Sequence, residues 1–257
     1  MIISTERSFP SDIMIRLILV LLFIVLFLLL SIPILIVEWI LAKFNRHAAD
    51  ISSLRIIQCV IRIIAWLSGI RLTVLGEEHV PKDVPVLYVP NHRSFFDIIV
   101  TYSRCPGLTG FVAKDSLAKI PLVSSWMRRL NCLFLNRTDI RAGLKTILAG
   151  IEQIKSGISL YIFPEGTRNK TEEILLPFKE GSMKLAEKSG CPIIPVAITN
   201  SAEILENHFP WIRSCHVILH YGEPIDVSSL TKEEKKFLGA YTREKILTML
   251  TEDAKLL

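Results

Sequence analysis

The feature that most constrains this chain is an uncharged apolar run of 21 residues, Leu17–Val37, interrupted only by Ser31 and Pro33. A helix of that length extends about 30 Å, the thickness of the hydrocarbon core of a bilayer. The run is too long for a secretory signal peptide, and Glu38 follows it instead of a small-residue cleavage site. It therefore predicts a membrane helix, with a buried core helix as the alternative.

The next apolar segment, Ile51–Leu72, differs because it carries polar residues at helical spacing. Arg55, Gln58 and Arg62 lie three or four residues apart, whereas apolar side chains cover most of the remaining surface. This pattern predicts a helix in the membrane interface, with the arginines towards lipid phosphates and Trp66 towards acyl chains. The alternative is an ordinary helix packed on the rest of the protein.

The charges around the first run indicate an orientation. Lys43, Arg46 and His47 follow it, and a basic flank stays on the cytoplasmic side, so the later domain is expected on the cytoplasmic face of the cell membrane. The predicted organisation is a membrane anchor, residues 1–72, and an α/β domain, residues 73–257. Whether the first helix crosses the bilayer or forms a half-inserted hairpin with the second stays open. The charged residues before the run balance one another: Glu6, Arg7, Asp12 and Arg16.

Composition narrows the class of protein. Half of the 257 residues are hydrophobic (50%), yet 21% are charged, which excludes a disordered chain, a collagen-like repeat and a small disulfide scaffold. Five cysteines without a C-x-x-C pair indicate reduced thiols, and no metal site is predicted. The net charge of +5 comes without a nucleic-acid-binding module. Beside an apolar anchor, it favours an anionic lipid surface as partner.

From residue 72 onwards, short β-rich runs alternate with amphipathic helical patterns. One apolar stripe predicts a helix over Asp139–Lys155, and further helices are expected after Phe95, Ile120 and Gly181 and over Thr231–Leu256. The predicted strands are almost continuously apolar, as in a sheet covered on both faces. The fold class is therefore α/β, with a mixed, mostly parallel sheet flanked by helices. The predicted strands are Leu72–Leu75, Val86–Val89, Gly110–Val112, Cys132–Leu135, Leu160–Phe163, Ile193–Ile198 and Val217–Tyr221.

The first chemical signal follows the second predicted strand, where Pro90 precedes the sequence N-H-R-S-F-F-D. Ser94 and Asp97 have the spacing of a helix capping box, which explains both without a catalytic role. The same explanation does not cover His92, which lies at a strand end, where α/β proteins bind ligands. A turn before the helix would bring His92 within reach of Asp97, whose carboxylate would fix the imidazole tautomer for general-base catalysis.

Two further strand ends carry charged side chains. The sequence F-P-E-G-T-R predicts a tight turn from which Glu165, Thr167 and Arg168 project. A guanidinium such as that of Arg168 suits bidentate phosphate binding, although a local pair with Glu165 also explains this motif alone. The strand Cys132–Leu135 likewise runs into an arginine, Arg137.

In their order and spacing, these motifs resemble those of the glycerolipid acyltransferases, most closely the bacterial 1-acylglycerol-3-phosphate (lysophosphatidate) acyltransferases. The resemblance rests on N-H-R-S-F-F-D, F-L-N-R, F-P-E-G-T-R and a fourth block, Ile194–Ile198. It covers about Val86 to Ile198, and the two apolar segments ahead of it match as well. H-x4-D alone is weakly specific, whereas four blocks in this order are strongly specific.

The resemblance implies a role for individual residues. His92 would be the general base and Asp97 its orienting partner, while Gly166 would shape the turn that carries its neighbours. Two residues depart from the family pattern, Asn131 in place of glycine and Asn169 in place of serine, and both bear on acceptor specificity. The residues implied in binding the phosphate and glycerol of the acceptor are Lys114, Arg137, Glu165, Gly166, Thr167 and Arg168.

The activity that the resemblance implies is transfer of an acyl chain from acyl-CoA or acyl carrier protein to the sn-2 hydroxyl of 1-acylglycerol-3-phosphate, forming phosphatidate in phospholipid synthesis. Neutral His92 would take the hydroxyl proton in a single displacement, with no cofactor besides the acyl donor. Backbone N–H groups at a helix start, or a water, would stabilise the oxyanion. The alternatives are another lysophospholipid as acceptor, a hydrolase that transfers the acyl group to water, and a non-catalytic lipid-binding relative. The expected partners are lysophosphatidate, the acyl donor and membrane lipids, with no nucleic acid.

Overall fold

The computed structural model describes residues 10–257, and a seven-stranded sheet forms its centre. Glu6 and Arg7, which enter the charge comparison above, lie outside the described residues. The strands are β1 Arg71–Leu75, β2 Leu87–Pro90, β3 Thr109–Lys114, β4 Leu133–Leu135, β5 Ser159–Tyr161, β6 Ile193–Thr199 and β7 His216–Tyr221. They lie in the order β1-β7-β6-β2-β5-β3-β4, parallel throughout except for the antiparallel pair of β6 and β7. The prediction of a mixed, mostly parallel sheet is confirmed.

Successive side chains of the strands enter two separate cores, because neighbouring residues of a strand point to opposite faces. Tyr88 and Tyr161 belong to the core on one face, and the adjacent Leu87 and Leu160 belong to the core on the other. All four side chains are buried. Cover on both faces explains why the strands read as almost continuously apolar.

Eight α-helices in the described residues supply this cover. α1 to α4 contribute to the core on one face, and α5, α6 and α8 to the core on the other. The expected single helix over Thr231–Leu256 is wrong in one respect, since Phe237, with φ −119° and ψ 40°, interrupts it between α7 and α8. The helices are α1 Pro10–Phe44, α2 Arg46–Leu67, α3 Phe96–Tyr102, α4 Val123–Arg129, α5 Ile140–Lys155, α6 Glu180–Ser189, α7 Lys232–Lys236 and α8 Leu238–Asp253.

The long helix α1 has two different sides. Val20 and Ser31 are buried against the protein, and Trp126 Nε1 donates to Ser31 Oγ at 2.9 Å. The other side is apolar and exposed along the helix, from Ile15 to Phe44. By length and composition, the 33 residues Asp12–Phe44 suffice to cross a membrane. This helix fits the predicted membrane segment.

The second helix, α2, packs on α3 through its polar stripe. Gln58 is 1% exposed and its amide donates to the carbonyls of Tyr102 and Cys105. Arg55 and Arg62 donate to carbonyls that follow or end α3. Carbonyls at the C-terminal end of a helix lack partners within the helix, which explains the attraction. These contacts agree with the alternative of a helix packed on the protein, while Arg55, Arg62 and Trp66 remain exposed, so the placement of this helix in a membrane interface stays a prediction.

A buried ionic cluster fixes the α1–α2 hairpin to α4. Glu38 of α1 accepts from Ser52 Oγ at 2.6 Å and from Ser53 Oγ at 3.1 Å, both on α2. Arg129 Nη2 of α4 lies 3.5 Å from a Glu38 oxygen and 3.4 Å from an Asp50 oxygen. Removing one member would leave the others charged and buried at a high cost, so the cluster orders the three helices relative to one another.

Candidate active site

The loop after β2 carries His92 to the edge of the sheet where parallel strands end. Asn91 fixes this loop to β6, because its amide donates to the Ile198 carbonyl at 3.0 Å and accepts from Ile198 N–H at 2.8 Å. Such carboxyl-end edges are where open α/β sheets bind ligands. The sequence prediction of His92 at this edge is confirmed by the bounds of β2, which ends at Pro90.

His92 and Asp97 form a direct pair, with Nδ1 and Oδ2 2.8 Å apart. Asp97 Oδ2 also accepts the backbone N–H groups of Arg93 and Ser94, each at 2.8 Å. An oxygen that already accepts two N–H groups acts as an acceptor towards the imidazole as well, which assigns the ring proton to Nδ1. Nε2 then keeps its lone pair, the form that a general base needs.

The imidazole of His92 is held at one ring face and at one nitrogen. It stacks on Phe163 with the ring centroids 4.0 Å apart and the planes inclined by 26°. Its side chain is 15% exposed, and no residue in 10–257 forms a hydrogen bond with Nε2. The free nitrogen is therefore the one that a substrate hydroxyl can approach.

Ser94 and Asp97 also bind backbone N–H groups around the start of α3, and for Asp97 this is compatible with its contact with His92. Ser94 Oγ accepts the N–H of Phe96 at 3.0 Å, and Asp97 accepts the N–H of Ser94, so both bind backbone at the start of α3. The predicted capping box is only half formed, since the N-cap of α3 is Phe95 and the N–H of Asp97 donates to the Ser94 carbonyl. The N–H of Phe95 donates to Glu206 at 2.8 Å. The N–H groups of residues 92 to 96 are all engaged within the protein, so in this structure the start of α3 offers no free N–H group to an oxyanion.

Glu165 supports the same loop from the end of β5. Its Oε1 accepts the His92 N–H at 2.6 Å, and its Oε2 accepts the Leu176 N–H at 3.1 Å. The residue is 5% exposed, and burial raises the pKa of its carboxyl above the ordinary value. Both oxygens are thus occupied by backbone, which makes Glu165 a fixed support for His92 in this structure.

The turn that follows requires glycine. Gly166 has φ +73°, and a Cβ there would lie 2.7 Å from Lys179 Nζ. Its N–H donates to Phe163 O at 3.0 Å, and its carbonyl accepts from the Arg137 guanidinium. Arg137 therefore reaches the F-P-E-G-T-R turn from the end of β4, while Thr167 is exposed.

Arg168 points to the other side of this turn. Its Nη1 lies 3.0 Å from Glu206 Oε1, and its guanidinium carbon lies 3.6 Å from the centre of the Phe95 ring. An ion pair and a cation–π contact hold the side chain in one place. Beside it lies a cavity of about 430 Å³ lined in part by Arg93 and Lys170.

The predicted binding residues therefore fall into two groups. Arg137 contacts the Gly166 carbonyl, and Lys114 is exposed at the end of β3, next but one to β2 in the sheet. Arg168 lies with Glu206 and Phe95, beside the segment that follows β6. The structure brings His92, Asp97 and Glu165 into contact and distributes the cations around them.

The two departures from the family pattern have local explanations. Asn131 has φ +57°, a left-handed conformation that asparagine adopts more readily than most residues, so it fills the place of a glycine. Asn169 N–H donates to the His92 carbonyl at 2.7 Å, and its amide donates to Glu173 O at 2.7 Å. Asn169 therefore orders the loop rather than leaving a gap.

Sequence reasoning gave no role to four residues that shape the site. Ser201 and Glu206 follow β6, and Ser201 Oγ donates to Asp97 Oδ1 at 2.6 Å. Asn91 and Phe163 lie inside the motifs. The signal for Asn91 was a polar residue directly before the histidine, and the signal for Phe163 was an aromatic residue directly before Pro164. Nothing local marks Ser201, because it lies 104 residues from Asp97.

Comparison with known proteins gives concordant matches. Residues 71–199 match the family model described as Acyltransferase. The chain is 34% identical over 192 residues to a 1-acyl-sn-glycerol-3-phosphate acyltransferase of Borreliella burgdorferi, covering 74% of this chain and 76% of that one. It is 29% identical over 210 residues to the protein of the same name from Saccharomyces cerevisiae, covering 81% and 68%. The fold is similar to the crystal structure of the 1-acyl-sn-glycerophosphate (LPA) acyltransferase PlsC from Thermotoga maritima, with a TM-score of 0.81, 26% identity and coverage of 94% and 96%.

Proposed function

The chain belongs to the acyltransferase family, and from this premise we propose that it acylates the sn-2 hydroxyl of 1-acylglycerol-3-phosphate and so forms phosphatidate. The relatives that carry this activity in their names support the choice of acceptor. The observation that carries the proposal is the pair of His92 and buried Asp97, which leaves Nε2 of the imidazole free.

The proposed chemistry is a single displacement. His92 Nε2 takes the proton of the acceptor hydroxyl while the hydroxyl oxygen attacks the carbonyl carbon of an acyl thioester. The tetrahedral intermediate then breaks its C–S bond, and the departing thiolate takes the proton from the imidazolium. Asp97 stabilises the imidazolium between these two steps. The donor is the thioester of coenzyme A or of acyl carrier protein, and the route needs no metal or other cofactor.

Arginine and lysine side chains would hold the phosphate of the acceptor. In the structure Arg137 donates to a neutral carbonyl, and a phosphate is the stronger partner, so we assign Arg137 and Lys114 to this task. Arg168 is already paired with Glu206 and would attract the acceptor phosphate only from a distance. Gly166 and Thr167 lie in the same turn and would line the path of the glycerol backbone. Holding the acceptor in place lowers the barrier by converting an encounter into a fixed geometry.

We also propose that the α1–α2 hairpin lies in the cytoplasmic surface of the cell membrane and does not cross it. The inner side of α1 contacts the protein at widely separated points, since a Cβ at Gly69 would lie 2.1 Å from Arg16 Nη1 and Trp126 binds Ser31. A crossing helix would have to break these contacts. If α1 lies in the membrane surface, protease added to one side of sealed vesicles should cut both an N-terminal tag and the α/β domain. Cleavage from opposite sides would contradict it.

The activity is tested with purified protein and a labelled acyl thioester, with and without lysophosphatidate. We expect thiol release and phosphatidate only when the acceptor is present, unchanged by a metal chelator. Thioester loss without acceptor would indicate a hydrolase, and no turnover by either route would indicate a binding protein. A panel of competing lysolipids separates lysophosphatidate from other acceptors, and parallel assays with the two thioesters identify the donor.

A further inference from the structure

The second oxygen of the Asp97 carboxylate has a partner from a distant part of the chain. Asp97 Oδ2 accepts from His92 and from two backbone N–H groups, whereas Oδ1 accepts from Ser201 Oγ at 2.6 Å. Asp97 is 0% exposed and Ser201 is 1% exposed. We propose that Ser201 is a positioning residue for the acyl transfer, acting through Asp97 on the orientation of His92. This inference rests on the proposed function.

The fold brings Ser201 to this position through the end of β6. Asn91 and Ile198 bind each other in both directions, which aligns the loop after β2 with the last residues of β6. Asn200 then turns the chain with φ +72°, and its amide donates to His216 O at 2.8 Å. Ser201 follows directly and is delivered to the far side of the Asp97 carboxylate.

The hydroxyl matters because it fixes a carboxylate that cannot reach water. A buried carboxylate oxygen without a donor is costly, and in residues 10–257 Ser201 is the one side chain that donates to Oδ1. Without the Ser201 hydroxyl, rotation of the Asp97 carboxylate towards other donors becomes favourable. This rotation weakens the hydrogen bond that holds His92 Nδ1. Ser201 is too buried to touch a substrate, so its effect on the rate passes through Asp97.

The chain offers a matched control. Ser103 is also a buried serine, at 6% exposure, and it lies at the end of α3, the helix that carries Asp97. Its hydroxyl donates to the Val100 carbonyl at 3.0 Å. Ser103→Ala therefore removes a buried hydroxyl from the same region without removing a donor to Asp97.

The test compares full-length Ser201→Ala, Ser201→Thr and Ser103→Ala with the unaltered protein in the same detergent. We expect Ser201→Ala to lower kcat about tenfold to a hundredfold, the effect of one hydrogen bond to a charged group, with KM for lysophosphatidate nearly unchanged. Ser201→Thr keeps the hydroxyl and should restore most of kcat, while Ser103→Ala should keep all of it. Full kcat in Ser201→Ala, or equal losses in the two alanine variants at equal melting temperature, would overturn the proposal.

A second readout is independent of turnover. We expect the proton between His92 Nδ1 and Asp97 to give a low-field NMR resonance that shifts in Ser201→Ala and stays in place in Ser103→Ala. An unshifted resonance in Ser201→Ala overturns the role of Ser201. If the unaltered protein does not acylate lysophosphatidate at all, the proposed function fails, and the resonance still decides whether Ser201 positions the pair.

Discussion

Two histidine–aspartate pairs in the described part of the chain have nearly the same length. His92 lies 2.8 Å from Asp97 and His220 lies 2.9 Å from Asp253. Both aspartates are buried, and both histidines are partly exposed at similar fractions, 15% and 21% of the side chain. By distance and burial alone, the two pairs would be equally good candidates for a general base.

The surroundings of the two carboxylates differ. Asp97 accepts two backbone N–H groups and the Ser201 hydroxyl besides His92, so its charge is shared among several donors. Asp253 has one other contact, Thr199 Oγ1 at 3.4 Å. The hydrogen bond to Asp253 raises the pKa of His220 above its ordinary value. The two pairs therefore differ in the donors around the carboxylate and in their place in the fold, since His92 lies in the loop after β2 and the pair of His220 and Asp253 links β7 and α8.

The largest difference between the two pairs is expected when each histidine is replaced in turn. His92→Gln should lower kcat by about 10³-fold, since a positioned general base contributes about 10² to 10⁴. The kcat of His220→Gln should stay within about twofold of that of the unaltered protein, which allows for indirect effects only. Thiol release with lysophosphatidate measures both. Equal losses would remove the distinction between the pairs.

The aspartates provide the next comparison. Asp97→Asn should lower kcat by about 10²-fold, because an amide has one acceptor oxygen where the carboxylate has two and cannot stabilise an imidazolium as well. Asp253→Asn, the matched change at the other pair, should remain active. A fully active Asp97→Asn would show that His92 needs no carboxylate.

A smaller effect, on KM for lysophosphatidate, is expected to distinguish the cationic residues near the two pairs. Arg137→Gln should raise KM for lysophosphatidate by about tenfold with little change in kcat, as for the loss of one charged hydrogen bond. Lys245, which lines a cavity beside His220, is the control, and Lys245→Gln should leave KM unchanged. A KM that responds to Lys245 and not to Arg137 would place the phosphate elsewhere.

The smallest effect is on stability and concerns the pair of His220 and Asp253. A histidine whose pKa is raised in the folded state stabilises the protein at pH values below the pKa of the unfolded chain, near 6.5. This contribution is lost as the pH rises through the pKa of the folded state. Asp253→Asn should therefore lower the melting temperature more at pH 5.5 than at pH 8.5. A larger loss at pH 8.5 would contradict the direction of this shift.

Repetitive patterns were predictable from the sequence, and the positions of distant partners were not. All seven strands lie where continuous apolar runs predicted them, and α5 follows its single apolar stripe. The His92–Asp97 contact was predictable because strand end, turn and cap are all encoded within eight residues. Ser201 and Glu206 were not, because their partners are supplied by the crossing of strands far apart in the chain. The sequence left two interpretations of the polar stripe of α2 open, because a row of arginines suits carbonyls at a helix end as well as lipid phosphates.

The exposed apolar side of α1 has a kinetic consequence. Held at a bilayer surface, the protein would encounter its acceptor by diffusion in two dimensions, and the concentration that matters is the mole fraction of acceptor among the surrounding lipids. Inert lipid added at constant total acceptor would then slow turnover, although nothing in the bulk solution has changed. Rates for such an enzyme are properly expressed per unit of surface.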